Sequence, residues 1–234
     1  MNYQIDAGVC EPNTKIEDRI CPICSVCGKK IFMFDDLNCP NCGSPIWDVV
    51  TTGDFIIGDD TLIRYEGDKS NVIIPDNITI IFNDAFADFN HITSVEIPYG
   101  IKLIGMWAFM RCEKLKEIIL PDSVEKLYDG VCYKCKGLER AVLPQYIQNI
   151  PRYMFFECNK LKHIELPQSI TEIGGYAFSG CSSLEKITIP KGVKKIEADT
   201  FRGCDNLKVL EVPKGCRISK DCGISKSCQI KRYM

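Results

Sequence analysis

Short apolar segments that end in proline recur along most of the chain. They read VIIP, VEIP, IILP, AVLP, IELP, ITIP and LEVP. Every interval between their prolines is 23 residues, at Pro75, Pro98, Pro121, Pro144, Pro167, Pro190 and Pro213. A constant interval over this many copies indicates an internal repeat, which has to be recognised before any local element is assigned.

Further apolar rows keep the same phase. An aromatic stands twelve residues before five prolines and Cys132 replaces it once: Phe86, Phe109, Phe155, Phe178 and Phe201. A cysteine stands nine residues before five prolines: Cys112, Cys135, Cys158, Cys181 and Cys204. Isoleucine or leucine stands six residues before the proline, and apolar pairs such as Ile101 and Ile104 follow it. One such unit cannot bury its apolar face alone, so these rows predict stacked units around a shared core.

The segment before each proline predicts a short β-strand, because it alternates apolar and polar residues and proline ends a ladder. Stacked units would form a parallel sheet with strands about 4.8 Å apart. The stretch that carries the AFxxC pattern predicts a turn on the opposite face, with one helical or 3₁₀ turn. Two apolar runs around a GDD turn in residues 54–70 predict a hairpin that closes the N-terminal end. The tail, residues 214–234, predicts a degenerate final turn or strand.

The repeat resembles the BspA-like, or Treponema-type, leucine-rich repeat. The clearest copy is ITEIGGYAFSGCSSLEKITIP, residues 170–190, and the resemblance spans roughly residues 70–213. One repeat departs from the pattern, with Tyr128 and Cys132 where glycine and phenylalanine are expected. The resemblance implies a curved solenoid of short parallel strands and turns that recognises proteins, often as a cell-surface adhesin. The solenoid with its capping hairpin is predicted over residues 51–213.

A cysteine-rich module precedes the solenoid, over residues 21–50. Cys24 and Cys27 lie in one C-x-x-C-G knuckle and Cys39 and Cys42 in a second, separated by eleven residues. Four thiolates from two tight turns form the closed tetrahedral site that structural zinc prefers, so the spacing predicts a zinc ribbon. Iron in a rubredoxin-like site, a shifted ligand set that uses Cys21, and disulfides are the alternatives. Disorder is one interpretation for residues 1–20.

Composition and charge fit a globular protein without a strong electrostatic bias. The chain has 234 residues, a net charge of −2, 15 cysteines and 2 histidines. The first residues lack the basic start and apolar run of a secretory signal, and no run reaches the length of a membrane span. We therefore expect a cytoplasmic protein with reduced cysteines, and surface exposure is the alternative. The tail from Lys214 onward has six basic residues and one acidic residue.

No catalytic motif stands out, so we expect a non-catalytic protein. The five repeat cysteines are expected in the core, and His91 and His163 on the surface. The residues two before each proline point away from the predicted core, and Ile119 and Val142 are apolar neighbours among them. The candidate partner-binding residues are therefore Ile119, Val142, Glu117, Arg140, His163 and Glu165, on the concave sheet. A preference of β-branched residues for strands also explains the apolar pair.

Three functions follow as hypotheses. The first is a scaffold that binds a protein partner through the sheet. The second is a regulator that contacts nucleic acid through the ribbon and the basic tail, although the ribbon itself is poor in basic residues. The third is an adhesin exposed at a surface. No small-molecule substrate is expected.

Overall fold

The computed structural model describes residues 49–234 as a stack of parallel turns. The predicted ligands Cys24, Cys27, Cys39 and Cys42, the alternative ligand Cys21 and the segment 1–20 lie outside the described residues. Each 23-residue turn, called a rung below, contributes strands to two parallel ladders. Within residues 49–234 all regular elements are strands.

Three N-terminal strands begin the fold. They are β1 (Val49–Thr52), β2 (Phe55–Gly58) and β3 (Thr61–Tyr65). β2 pairs antiparallel with both β1 and β3, which places a hairpin within the segment where one is predicted. β3 then pairs in parallel with the first short strand of the solenoid. Tyr65 of β3 is fully buried, and its ring lies 5.5 Å from that of Phe86. The hairpin therefore covers the first rung of the core.

The strands before the prolines, together with the last strand of the chain, lie in one row along the stack, named here the pre-proline ladder. Hydrogen bonds join the members of this row in two sheets, one on each side of the rung that ends at Pro167. The row consists of β4 (Asn71–Ile73), β6 (Ser94–Glu96), β8 (Glu117–Ile119), β10 (Arg140–Val142), β13 (Lys186–Thr188), β15 (Val209–Pro213) and β17 (Gln229–Tyr233). The predicted strands are confirmed, except in the rung that ends at Pro167. There a single bridge joins His163 to Arg140.

Two-residue strands after the prolines form a second row along the stack, the post-proline ladder, whose members are hydrogen-bonded in three separate groups. It consists of β5 (Ile80–Ile81), β7 (Leu103–Ile104), β9 (Lys126–Leu127), β11 (Asn149–Ile150), β12 (Glu172–Ile173), β14 (Lys195–Ile196) and β16 (Arg217–Ile218). Sequence reasoning did not assign these strands. The predicted turn around AFxxC is confirmed, but the helical or 3₁₀ turn expected within it does not form: the segment consists of hydrogen-bonded turns.

The core lies between the two ladders and the AFxxC turns. The ring centroids of Phe86 and Phe109 lie 5.0 Å apart. The ring centroid of Phe178 lies 5.7 Å from that of Phe155 and 5.7 Å from that of Phe201. The main chain of one turn bonds to the next, as where the Phe178 N–H donates to the Thr200 carbonyl. Burial of each such side chain contributes about 1.5–3 kcal/mol, so the stacked rows stabilise the fold.

The last rung is shorter than the others. β17 pairs in parallel with β15, with Gln229 opposite Val209, so the offset along the chain is 20 residues (229 minus 209). The Tyr233 hydroxyl donates to the Ile189 carbonyl and ties this strand to an earlier rung. The tail thus adds a degenerate final rung, as the sequence predicts.

Candidate functional site

The pre-proline ladder brings the candidate binding residues together. β8 and β10 pair with Glu117 opposite Arg140 and Ile119 opposite Val142. Their central residues, Ile118 and Ala141, are buried, so the residues on either side face outward. A constant period places residues 23 apart side by side, which is why the sequence alone could predict this pair.

The apolar side chains of this face are exposed to different extents. Ile119 is 48% exposed, while Val142 is half-buried. Two rungs earlier, Ile73 is 68% exposed. Together with Glu96, these side chains form what we call the apolar face: Ile73, Ile119 and Val142, with the carboxylate of Glu96 between the isoleucines. Ile73, the most exposed of these side chains, was not among the predicted site residues, although it also stands two residues before a proline.

A shallow depression of about 450 Å³ lies on this face. Its lining includes Ile73, Glu96, Ile119 and Pro121. Two exposed aromatics stand in the turns that follow the ladder, Tyr99 at 79% and Tyr146 at 76% exposure. Large exposed apolar side chains that lie near one another mark interaction surfaces more often than isolated ones do.

Charged groups border the apolar face. Glu117 and Arg140 form an ion pair across neighbouring strands. His163 follows on the next rung through its bridge to Arg140, and both His163 and Glu165 are exposed. Surface ion pairs contribute only about 0–1 kcal/mol to stability, so this pair orders the two side chains more than it stabilises the fold. The structure therefore places four of the six predicted residues on paired strands and joins His163 to them by one bridge, while Glu165 lies two residues further along the same rung.

The repeat cysteines lie in the core, as predicted. Each thiol donates to the carbonyl of a residue 26 positions earlier, for example Cys112 to Phe86 at 3.0 Å and Cys181 to Phe155 at 3.1 Å. Burial raises the pKa of the Cys158 thiol well above its usual value and that of Cys204 to about 12. The thiolate is the reactive form, so these side chains act as small core residues with a weak donor.

Residues 49–234 contain neither a cluster of three or more metal-ligating side chains nor a helix long and apolar enough to cross a membrane. The tail cysteines Cys216 and Cys222 are buried and Cys228 is half-buried.

Parallel rungs with an exposed strand face define a solenoid repeat protein. The family described as the BspA type leucine rich repeat region matches six copies, over residues 64–161 and 128–233. These ranges span well over half of the chain. The chain belongs to this leucine-rich repeat family, which confirms the resemblance seen in the sequence.

Solved structures of other leucine-rich repeat proteins are similar to this chain. The leucine-rich repeat protein of T. pallidum is 30% identical, with a TM-score of 0.63, and the match covers 74% of this chain and 82% of that chain. A leucine-rich repeat protein of Eubacterium ventriosum is 20% identical, with a TM-score of 0.70, covering 80% of this chain and 51% of that one.

A leucine-rich cell surface protein of Faecalibacterium prausnitzii is 20% identical, with a TM-score of 0.51, covering 79% of this chain and 76% of that one. At this identity the last two show the fold alone. The comparison with curated protein sequences found no match.

Proposed function

We propose that this chain is a non-catalytic scaffold that binds a protein partner through the apolar face of its pre-proline ladder. The observation that carries the proposal is the exposure of Ile73 and Ile119 in a row whose other members are mostly polar. A leucine-rich repeat solenoid suits a protein-binding or adhesin-like role.

The energetics of the face support this role. Complete burial of one isoleucine side chain against a partner contributes about 1.5–3 kcal/mol. Binding energy concentrates in a few such side chains surrounded by polar groups that exclude water. Glu96, the Glu117–Arg140 pair and Glu165 stand in the surrounding positions, and their carboxylates favour a partner surface that carries basic groups.

Replacing Ile119 by aspartate is expected to abolish partner capture. The change puts a carboxylate where the partner would exclude water, and a buried unpaired charge costs several kcal/mol. Folding should be retained, because the side chain is 48% exposed and the change in strand propensity amounts to about 1 kcal/mol or less. A photo-crosslinking residue at position 119, used in cells that make the protein, identifies the partner, and capture from lysate then compares the variants.

Val50→Asp is the matched control. Val50 is 58% exposed but lies on β1, outside the pre-proline ladder. The polypeptide crosslinked at position 119 should bind Val50→Asp as it binds the unchanged protein and should not bind Ile119→Asp. Equal capture by both variants, with equal unfolding midpoints, would show that the face does not bind the partner.

We also propose that Cys24, Cys27, Cys39 and Cys42 hold a structural zinc ion. Two C-x-x-C-G knuckles supply four thiolates, and a closed site of this kind contributes folding energy to a small module. We expect one zinc per chain, and fifteen titratable thiols in protein purified without reductant and then unfolded, because unfolding releases the metal and frees its four ligands with the other eleven cysteines. Elemental analysis and thiol titration measure the two numbers.

The same measurement tests the proposed location. Reduced cysteines are typical of the cytoplasm, whereas disulfides persist in oxidising compartments. Absence of metal together with few free thiols would contradict both the zinc site and the cytoplasmic location, and it would favour an adhesin at a surface. Iron in place of zinc would contradict only the identity of the metal.

A further inference from the structure

The last rungs carry a group of cations that the rest of the fold does not neutralise. We name it the basic corner and define it by the exposed side chains of Lys191, Lys194, Lys214, Arg217 and Arg232. It lies where the chain passes from the pre-proline to the post-proline ladder. Within residues 49–234 none of the five side chains has a carboxylate partner within 4.0 Å. By contrast, Lys186 forms an ion pair with Glu211, and Lys208 forms one with Glu185.

Hydrogen bonds bring the five residues together. Within one rung, the Lys194 ammonium donates to the Lys191 carbonyl at 3.5 Å. The Arg217 N–H donates to the Lys194 carbonyl at 2.9 Å, and the Lys214 N–H donates to the Tyr233 carbonyl at 2.8 Å. The Arg232 guanidinium donates to the Cys216 carbonyl at 3.0 Å. Cys216 lies between Lys214 and Arg217 in the chain, so cations from three rungs meet at this turn.

The charges of the basic corner also act on the Cys216 thiol. Burial raises its pKa, and the charges of Arg232 and Lys194 act in the opposite direction. Both cations are therefore close enough to the same side chain to affect its titration.

Two earlier rungs show a lysine whose charge is neutralised by a carboxylate on the next rung. Lys102 and Glu125 each stand four residues after a proline, on neighbouring rungs, and form an ion pair at 2.8 Å. Lys194 and Arg217 also stand four residues after a proline, but the shorter final rung places Arg217 opposite Lys195 on the neighbouring strand. Like charges on neighbouring strands destabilise a sheet, so this arrangement is unfavourable until an external anion neutralises it.

We propose that the basic corner binds the anionic surface of a lipid bilayer. Basic clusters gain affinity for anionic lipid from each lysine or arginine near the surface, and an adjacent apolar side chain adds to it by inserting among the lipids. Ile230 provides such a side chain: it is 45% exposed and lies two residues before Arg232 on β17.

A nucleic acid is a less suitable ligand for this corner. Proteins that bind single-stranded nucleic acid stack bases on exposed aromatic rings. The aromatic ring beside the corner belongs to Tyr233, which is half-buried and donates its hydroxyl to the Ile189 carbonyl. The ring is therefore held against the protein, and the exposed side chains are aliphatic and cationic.

The test compares sedimentation of the full chain with two kinds of vesicle. One contains phosphatidylcholine alone and the other also contains about 30% phosphatidylserine. The protein is expected to sediment with the anionic vesicles at about 0.05 M salt and to be released at about 0.5 M salt, because salt screens exposed charges. Equal sedimentation with both kinds of vesicle, or none with either, would overturn the proposal.

Lys194→Glu gives the decisive variant. It removes two units of positive charge from the corner and is expected to weaken vesicle binding by roughly 25-fold, about fivefold for each unit. Lys194 is exposed and lies outside the strands, so the unfolding midpoint should not fall. Lys114→Glu is the control, because it changes the net charge equally at an exposed residue outside the corner.

The control should retain most of the vesicle binding. Equal weakening by both variants would mean that net charge alone governs the interaction, and the basic corner would not be the site. Tighter binding to a labelled single-stranded oligonucleotide than to the anionic vesicles would also overturn the proposal and favour nucleic acid as the ligand.

Discussion

Replacement of Phe178 by alanine is expected to lower the free energy of unfolding by about 3–5 kcal/mol. Phe178 is fully buried, and its ring stacks between those of Phe155 and Phe201 at interplanar angles of 14° and 6°. The rungs cannot close the resulting cavity, because the hydrogen bond from Phe178 to Thr200 and its equivalents fix their spacing. Chemical denaturation followed by circular dichroism measures the change.

The substitution should also reduce the cooperativity of unfolding. In a solenoid each rung contacts only its neighbours, so a weakened rung interrupts the coupling between the segments on its two sides. A lower denaturant slope, or two separate transitions, is the expected sign.

Tyr146→Ala is the control for the loss of an aromatic ring. Its side chain is 76% exposed, and removal should change the unfolding free energy by no more than about 0.5 kcal/mol. Similar effects of the two substitutions would mean that the ring stack does not stabilise the core as described.

Replacement by alanine at two adjacent glycines, Gly174 and Gly175, should change the stability of the protein in opposite directions. A Cβ atom on Gly174 would lie 2.6 Å from the backbone nitrogen of Arg152 and 2.9 Å from its Cα atom, on the preceding rung. Because the Gly174 N–H donates to the Ile150 carbonyl at 2.8 Å, the two backbones cannot separate without losing a hydrogen bond. Gly174→Ala is expected to destabilise the protein by about 2–3 kcal/mol.

Gly175→Ala is the matched comparison. The nearest atom to its Cβ would be the Ala198 carbonyl oxygen at 3.7 Å, which is ordinary contact. At such a site alanine gains about 0.4–1 kcal/mol by restricting the unfolded chain. Thermal unfolding of both variants tests the pair, and a Gly174→Ala protein as stable as Gly175→Ala would contradict the close approach of the rungs.

The sequence predicted the post-proline ladder poorly because its strands are only two residues long. A strand of this length carries no alternation of its own, so the apolar residues Ile101 and Ile104 indicated a core position without indicating a strand. Hydrogen bonds from neighbouring rungs create the element, as where Leu103 pairs with Ile80 and Lys126.

The conformation of the AFxxC turns also could not be predicted from the local sequence. Bulky residues such as Trp107 and Tyr153 adopt φ values of 53° and 57°, a left-handed conformation that their side chains disfavour. Hydrogen bonds between rungs impose it, for example from the Trp107 N–H to the Asp129 carbonyl at 3.0 Å. The local sequence therefore predicted a helical turn, whereas hydrogen bonds between rungs stabilise a turn that contains left-handed residues.

The sequence by itself determined the solenoid, its core rows and the pairing of Ile119 with Val142, because a constant period of 23 residues fixes which side chains become neighbours. Tertiary structure decided how much each neighbour is exposed, so that Ile73 is more prominent than the predicted Val142. It also decided where Arg232 lies, because the shortened final rung brings this cation to Cys216. A repeat specifies contacts at its own period, whereas the contacts of an irregular rung depend on the backbone path that the finished stack allows.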